Sequence, residues 1–165
     1  MPSFRFADNT LADGNLIVNF MSKRVANQNL IEEAAVDFGS CRNYASLAVL
    51  QELHAEGAKA LLGFDDNVVL RSIIITINNA GMWEVLFIGV DKALNANQRL
   101  AAMRLALNWL RLNVPAVTPQ TRVFGTVKSG GRIDVFMNGK LPIRIVRGGF
   151  VYYEGSMADL GTAVA

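Results

Sequence analysis

Residues 68–90 constrain the fold more than any other part of the chain. They read VVLRSIIITI, then NNAG, then MWEVLFIGV. Two apolar runs of strand length flank a short connection containing Asn and Gly, which is a hairpin signal. Both runs are nearly continuous in apolar residues, so both faces of the sheet they build need cover. The cover must come from the flanking segments, and three of them carry helical spacing. The first is 23–38, entered at Ser22 and left at Gly39. The second is 43–62, where Leu47, Leu50, His54, Ala58 and Leu61 recur at 3-4-3-4 spacing. The third is 96–113, opened by Asn95 and Gln98 at capping-box spacing and closed before Pro115. The fold class predicted is α+β: a mainly antiparallel sheet built on the 68–90 hairpin, packed by these three helices, with a C-terminal β-ribbon region.

The remaining segments are read the same way. Residues 3–6 and 15–20 are predicted as strands joined at Asp13-Gly14. In the ribbon, TRVFGTV, RIDVFM, LPIRIV and FVYYE are predicted as strands, turned at Ser129-Gly130-Gly131, Asn138-Gly139 and Gly148-Gly149. Pro142 lacks a donor and marks its strand as an edge. The 165 residues make one domain, 1–165, with 156–165 as an extended C-terminal tail. The beginning of the sequence lacks the charged-then-apolar pattern of a secretory signal, and no run of 18 apolar residues occurs. The expected location is therefore cytoplasmic or inside an assembled particle, with no membrane contact.

Motifs for chemistry are sparse. A single cysteine, Cys41, excludes an internal disulfide and a Cys-rich zinc cluster. His54, the only histidine, lies on an apolar stripe with no carboxylate or cysteine at helical spacing, which favours a packed histidine over a metal ligand. Asp65 and Asp66 read as a solvated turn, because a calcium loop needs alternating acids and a later Glu. Glu84 reads as the cross-strand partner of Arg71. Lys128-Ser129-Gly130-Gly131 lacks the helix that would make it a phosphate cradle. Glycine-rich nucleotide loops, nucleophile elbows and paired-histidine zinc motifs are absent from the sequence. These readings predict no catalytic residue, no metal and no cofactor; an enzyme would have to draw on His54, Cys41, Glu84 and Asp65.

Two distributed features remain. Helix 96–113 is apolar on two sides: Leu100, Met103, Leu107 and Leu110 on one, Leu105, Trp109 and Leu112 on another. The second stripe is the expected surface for other protein subunits, of this chain or another. From Arg122 to Gly149 there are six basic residues, Arg122, Lys128, Arg132, Lys140, Arg144 and Arg147, against Asp134 alone. With interleaved aromatics, that ribbon is a candidate for nucleic acid. The function expected is a non-enzymatic structural or assembly protein of an oligomer, such as a viral-particle, tail or secretion component. The alternative is a nucleic-acid-binding module.

Overall fold

The computed structural model describes residues 2–8, 10–25, 57–79, 82–113 and 118–165. Within them the chain is mixed α+β, with one seven-stranded sheet and helices on both faces. The strands are β1 (Ser3–Phe6), β2 (Ala58–Phe64), β3 (Leu70–Asn79), β4 (Met82–Val90), β5 (Arg122–Lys128), β6 (Ile143–Arg147) and β7 (Phe150–Ser156). The helices are α1 (Leu11–Val25), α2 (Ala96–Asn113), α3 (Arg132–Met137) and α4 (Met157–Ala163). The sheet order is β1-β2-β3-β4-β5-β7-β6. Every neighbouring pair is antiparallel except β4 and β5, which run parallel. Parallel neighbours require a crossover, and α2 supplies it. Among the described residues, no helix is long and apolar enough to cross a membrane.

The apolar runs bury on two faces. Leu61, Ile74, Trp83, Val123 and Val151 form one core with Met103, Leu107 and Leu110 of α2 and with Met157 and Leu160 of α4. Ile73 and Ile75 alternate to the other face, where α1 contributes buried Ile17 and Phe20. Full burial of one such side chain is worth about 1.5–3 kcal/mol. Thr76 lies inside this packing, 1% exposed, and its hydroxyl has no hydrogen-bond partner among the described residues. Thr76→Val should therefore stabilise the domain by about 1 kcal/mol in a denaturant titration, because it removes an uncompensated buried group; a loss of stability would show that the hydroxyl has a partner.

Several local expectations are corrected. Residues 15–20 are helical: the Thr10 hydroxyl accepts from the Asp13 amide, and the Asp13 carboxylate accepts from Asp8 N and from both Arg5 terminal nitrogens at 2.7 and 2.8 Å. Asp13-Gly14 is thus the first turn of a helix rather than a hairpin turn. Residues 58–62, predicted as the end of a helix, form β2; pairing with β1 and β3 outweighs their helical spacing. RIDVFM is α3, so Asn138-Gly139 ends a helix and turns no hairpin. Residues 156–165 are no extended tail: the Ser156 side chain accepts from Asp159 N, the Asp159 carboxylate accepts from Ser156 N, and this capping box starts α4. Arg71 bonds Asp65 and Asp91, and Glu84 faces Ile77 across the ladder. The Asn95–Gln98 box forms, with reciprocal bonds of 3.0 and 2.9 Å. Residues 26–38 of the first expected helix and 43–56 of the second lie outside the described residues.

Candidate active site

The sheet opens between β4 and β5. These strands pair only at Met82↔Arg122, Trp83↔Val123, Glu84↔Phe124 and Val85↔Gly125. The cause of the separation is local to β4. Its register against β3 steps from Ile75↔Phe87 to Thr76↔Val85, leaving Leu86 as an extra residue. A bulge bends its strand and sharpens the twist, and here it turns β4 away from β5. The last paired row is tight: a Cβ on Gly125 would lie 2.8 Å from the Val85 carbonyl oxygen. Beyond that row β4 stays on β3 and β5 stays on β7, so two facing strand edges are left without each other.

The wedge between those edges is apolar. A hollow of about 80 Å³ is lined by residues that include Val85, Ile88, Met103, Leu107, Val127 and Ile133. It adjoins a larger cleft of about 640 Å³, with which it shares Ile88, Met103 and Ile133, and which runs to Ala96 and Arg99 at the start of α2. Arg99 donates to the carbonyls of Leu94 and Lys92 at 2.8 and 2.6 Å and so fixes the turn before the helix. On the facing wall, Phe136 of α3 has Lys140 Nζ 3.4 Å and Arg104 Cζ 5.8 Å from its ring centre. The wedge thus offers unpaired backbone groups inside an apolar slit, with cationic side chains and a helix N-terminus at its mouth.

The other face of the sheet carries a different chemistry at the same rows. Glu84, Phe124 and Glu154 share one row; Thr126, Tyr152 and Ile145 share the next. Tyr152 donates to Glu154 at 2.6 Å, and Arg122 pairs with Glu154 at 2.8 Å. The Tyr152 bond first, and Arg122 second, hold the Glu154 carboxyl below its ordinary range. Burial, and then the bond to Glu154, push the Tyr152 hydroxyl up to about 12, with Glu84 adding to the effect. Among the described residues Glu84 makes no ion pair. It is the available carboxylate beside the point where the strands part.

The wall formed by α3 is tied down by Asp134, which is 4% exposed. Its carboxylate accepts from the Gly130 amide at 2.8 Å, from Arg144 at 3.2 Å and from the Tyr153 hydroxyl. Burial pushes its acidity the other way, yet these bonds outweigh it and hold the carboxyl at about 2. The turn at 129–131, α3, β6 and β7 therefore meet at one anion. Lys128-Ser129-Gly130-Gly131 does precede a helix, contrary to expectation, but the internal Asp134 carboxylate takes the Gly130 amide.

The residues singled out by sequence are dispersed. Leu105 and Leu112 are 46% and 65% exposed, whereas Trp109 is half-buried against Phe4 and Phe6 at ring distances of 6.0 and 5.8 Å. Spaced at i, i+4 and i+7, they share one side of the helix, where the exposed Leu105 and Leu112 flank a Trp109 partly covered by β1. Of the six basic residues, Arg122 and Arg144 are engaged with Glu154 and Asp134, and Lys140 sits over Phe136. Arg132 begins α3, whereas Lys128 and Arg147 share the Phe150 row at the far end of the sheet. No single ribbon surface gathers them. Asp65 is a turn residue accepting from the amides of Asn67 and Val69 and from Arg71. Cys41 and His54 lie outside the described residues. The slit itself was not read from the sequence: no residue type marks a strand pair that stops halfway.

No protein-family model and no curated protein sequence matches the chain. Solved structures do. Spermidine N-acetyltransferase from Vibrio cholerae, in complex with CoA and spermine, superposes with TM-score 0.61 at 14% identity, covering 96% of both chains. The PaiA N-acetyltransferase from Thermoplasma acidophilum, in complex with coenzyme A, gives TM-score 0.60 at 8% identity, covering 93% of this chain and 99% of that one. An acetyltransferase of the GNAT family from Streptococcus pneumoniae gives 0.59 at 17% identity, covering 93% and 97%. At these identities the likeness establishes the fold, which is that of GNAT-type acetyltransferases. It overturns the expected structural or assembly role: the proteins similar to this one over nearly their whole length are enzymes.

Proposed function

We propose that this protein is an acyltransferase that moves an acyl group from a coenzyme A-type thioester to an amine. The observation that carries the reading is the pairing of β4 and β5 that ends at Val85↔Gly125 and opens into an apolar slit. An extended chain carrying amides can add to open strand edges as a strand would, by main-chain hydrogen bonds. The pantetheine arm of coenzyme A is such a chain, with apolar links between its amides, and the slit suits it on both counts. Arg99, Lys140, Arg104 and the first turn of α2 are placed to meet a phosphate-bearing end at the cleft mouth. The structural relatives bound to coenzyme A support the same donor.

The donor supplies a carbonyl already activated by its thioester. In the transfer a C–N bond forms, the C–S bond breaks, the amine loses a proton and the thiolate gains one. Glu84 stands on the opposite face, one residue before the strands part, where it is placed to take the amine proton. Backbone N–H groups of β4 past Val85 face the slit without a β5 partner and are available to the developing oxyanion. Arg122 and Tyr152 hold Glu154 beside this point and keep its charge paired.

Calorimetry with acetyl-CoA on the full chain, paired with thiol release on adding an amine panel, tests the reading. Ile133 is half-buried on the slit wall, so Ile133→Trp fills the hollow from outside the core. That variant should bind acetyl-CoA about tenfold more weakly, a loss of about 1.4 kcal/mol, while keeping its circular dichroism spectrum. Unchanged binding by a folded Ile133→Trp variant would remove the slit from the donor site.

A further inference from the structure

The face of the β5-β7-β6 half-sheet opposite α3 and α4 carries a second hollow, of about 360 Å³, lined by Thr126, Ile145, Arg147, Phe150 and Tyr152. The register fixes its layout. Thr126, Tyr152 and Ile145 form its near row, Phe150 and Arg147, in register with Lys128, its far end, and Glu84, Phe124 and Glu154 the row just outside it. The floor is aromatic, with Phe124 and Tyr152 ring centres 6.1 Å apart. The ends differ in charge. Just outside the near row Glu154 is already paired with Arg122, which leaves Glu84 as the carboxylate free to meet a cation. At the far end Arg147 makes no ion pair among the described residues. Glu84 and Arg147 are four residues apart along the strands, roughly 13 Å, and three strand spacings apart across the sheet, roughly 14 Å, so their backbones stand roughly 19 Å apart. The reach of a Glu and an Arg side chain into that gap leaves room for an extended body of about two residues.

We infer that the acyl acceptor is an amphoteric amine of dipeptide length: its ammonium meets Glu84, its apolar or aromatic body lies on Tyr152 and Phe124, and its carboxylate meets Arg147. This deepens the acyltransferase reading and rests on it. The polarity follows from the chemistry, because the nitrogen must reach the row where β4 and β5 part. A polycation would place a second positive charge against Arg147, so the same layout disfavours polyamines.

The probes are the dipeptide Ala-Phe, its C-terminal amide, free phenylalanine and spermidine. Each is titrated calorimetrically into the full-length protein without donor, then assayed for thiol release from acetyl-CoA. The expected result is that Ala-Phe binds about tenfold more tightly than its amide, the worth of one charge-assisted contact. Free phenylalanine, too short to span both ends, should fall with the amide. Arg147→Ala should bring the acid-to-amide ratio close to one, Arg147→Lys should restore part of it, and Arg147→Glu should reverse it. Arg147 is exposed on the edge strand, so these variants keep the fold. Equal binding of Ala-Phe and its amide, a ratio unmoved by Arg147→Ala, or a preference for spermidine would overturn the assignment. Selective dipeptide binding without thiol release would uphold the amphoteric site and instead reject the acyltransferase reading.

Discussion

Under the acyltransferase proposal, Glu84→Gln should lower kcat for acetyl transfer by about 10²- to 10³-fold, the usual scale for loss of a positioned general base. The substitution keeps size and hydrogen-bonding atoms and removes only the ability to take a proton. Glu84 is half-buried and in register with Phe124 at the row before the strands separate, so glutamine fits without repacking. Donor binding in the slit should stay within twofold, because the slit opens at the next row. The pH profile gives the sharper readout. Without a base, only acceptor already deprotonated in solution reacts. The variant rate should then climb about tenfold per pH unit until the acceptor itself loses its proton. A kcat within twofold of the parent, with the same pH profile, would take Glu84 out of the chemistry.

Asp134→Ala destabilises the domain by about 3 kcal/mol in urea or heat, the low end for breaking a buried ion pair. The low end applies because Arg144, with 31% of its side chain exposed, can turn to water once its partner is gone. The exposed Gly130 amide can do the same, whereas the Tyr153 hydroxyl is buried and keeps only the main-chain carbonyl of residue 134, at 3.2 Å. The loss should also be local in effect. Ile133 and Met137 of α3 line the slit, so donor binding weakens further than global stability alone requires. Asp134→Asn, which still accepts hydrogen bonds, should fall between. A variant as stable as the parent would mean that the network contributes nothing.

The same group sets an acid limit. Its folded carboxyl, held at about 2, lies below the ordinary 3.8. A depressed acid stabilises the folded state fully above the unfolded value and loses that contribution as pH falls through the folded one. Asp134 therefore acts fully above about pH 4 and fades toward about pH 2. Asp13, held down by Arg5, and Asp159, held down by the Ser156 amide, push in the same direction. Stability should decline across this window, and Asp134→Asn should flatten the decline.

Local signals in the chain succeeded where a short-range contact decides. The Asn95–Gln98 box, the strands β3 and β4 and the edge placement of β6 after Pro142 depend on neighbours in sequence or on plain apolarity. They failed where two periods fit equally. RIDVFM alternates well enough for a strand, yet Asp134 needs a helix to reach Gly130, Arg144 and Tyr153 together. Residues 58–62 carry helical spacing, yet β1 and β3 offer two open edges. The Ser156–Asp159 box is legible in the sequence, but the residues after it are small and bury little alone, so composition reads them as a tail.

By itself the sequence determined the class of architecture: an α+β domain with an apolar sheet covered on both faces and no ready-made catalytic motif. Only the tertiary structure decided where the sheet opens. The slit exists because one extra residue at Leu86 turns β4 away from β5, a strand that follows only after the whole of α2. An uninterrupted apolar run hides such a bulge, since a strand with one residue too many reads the same as a strand without it. Glu84, read along the chain as a partner for Arg71, becomes the acid at the opening for the same reason. A residue's chemistry is fixed by its type, but its neighbours across a sheet are set by register.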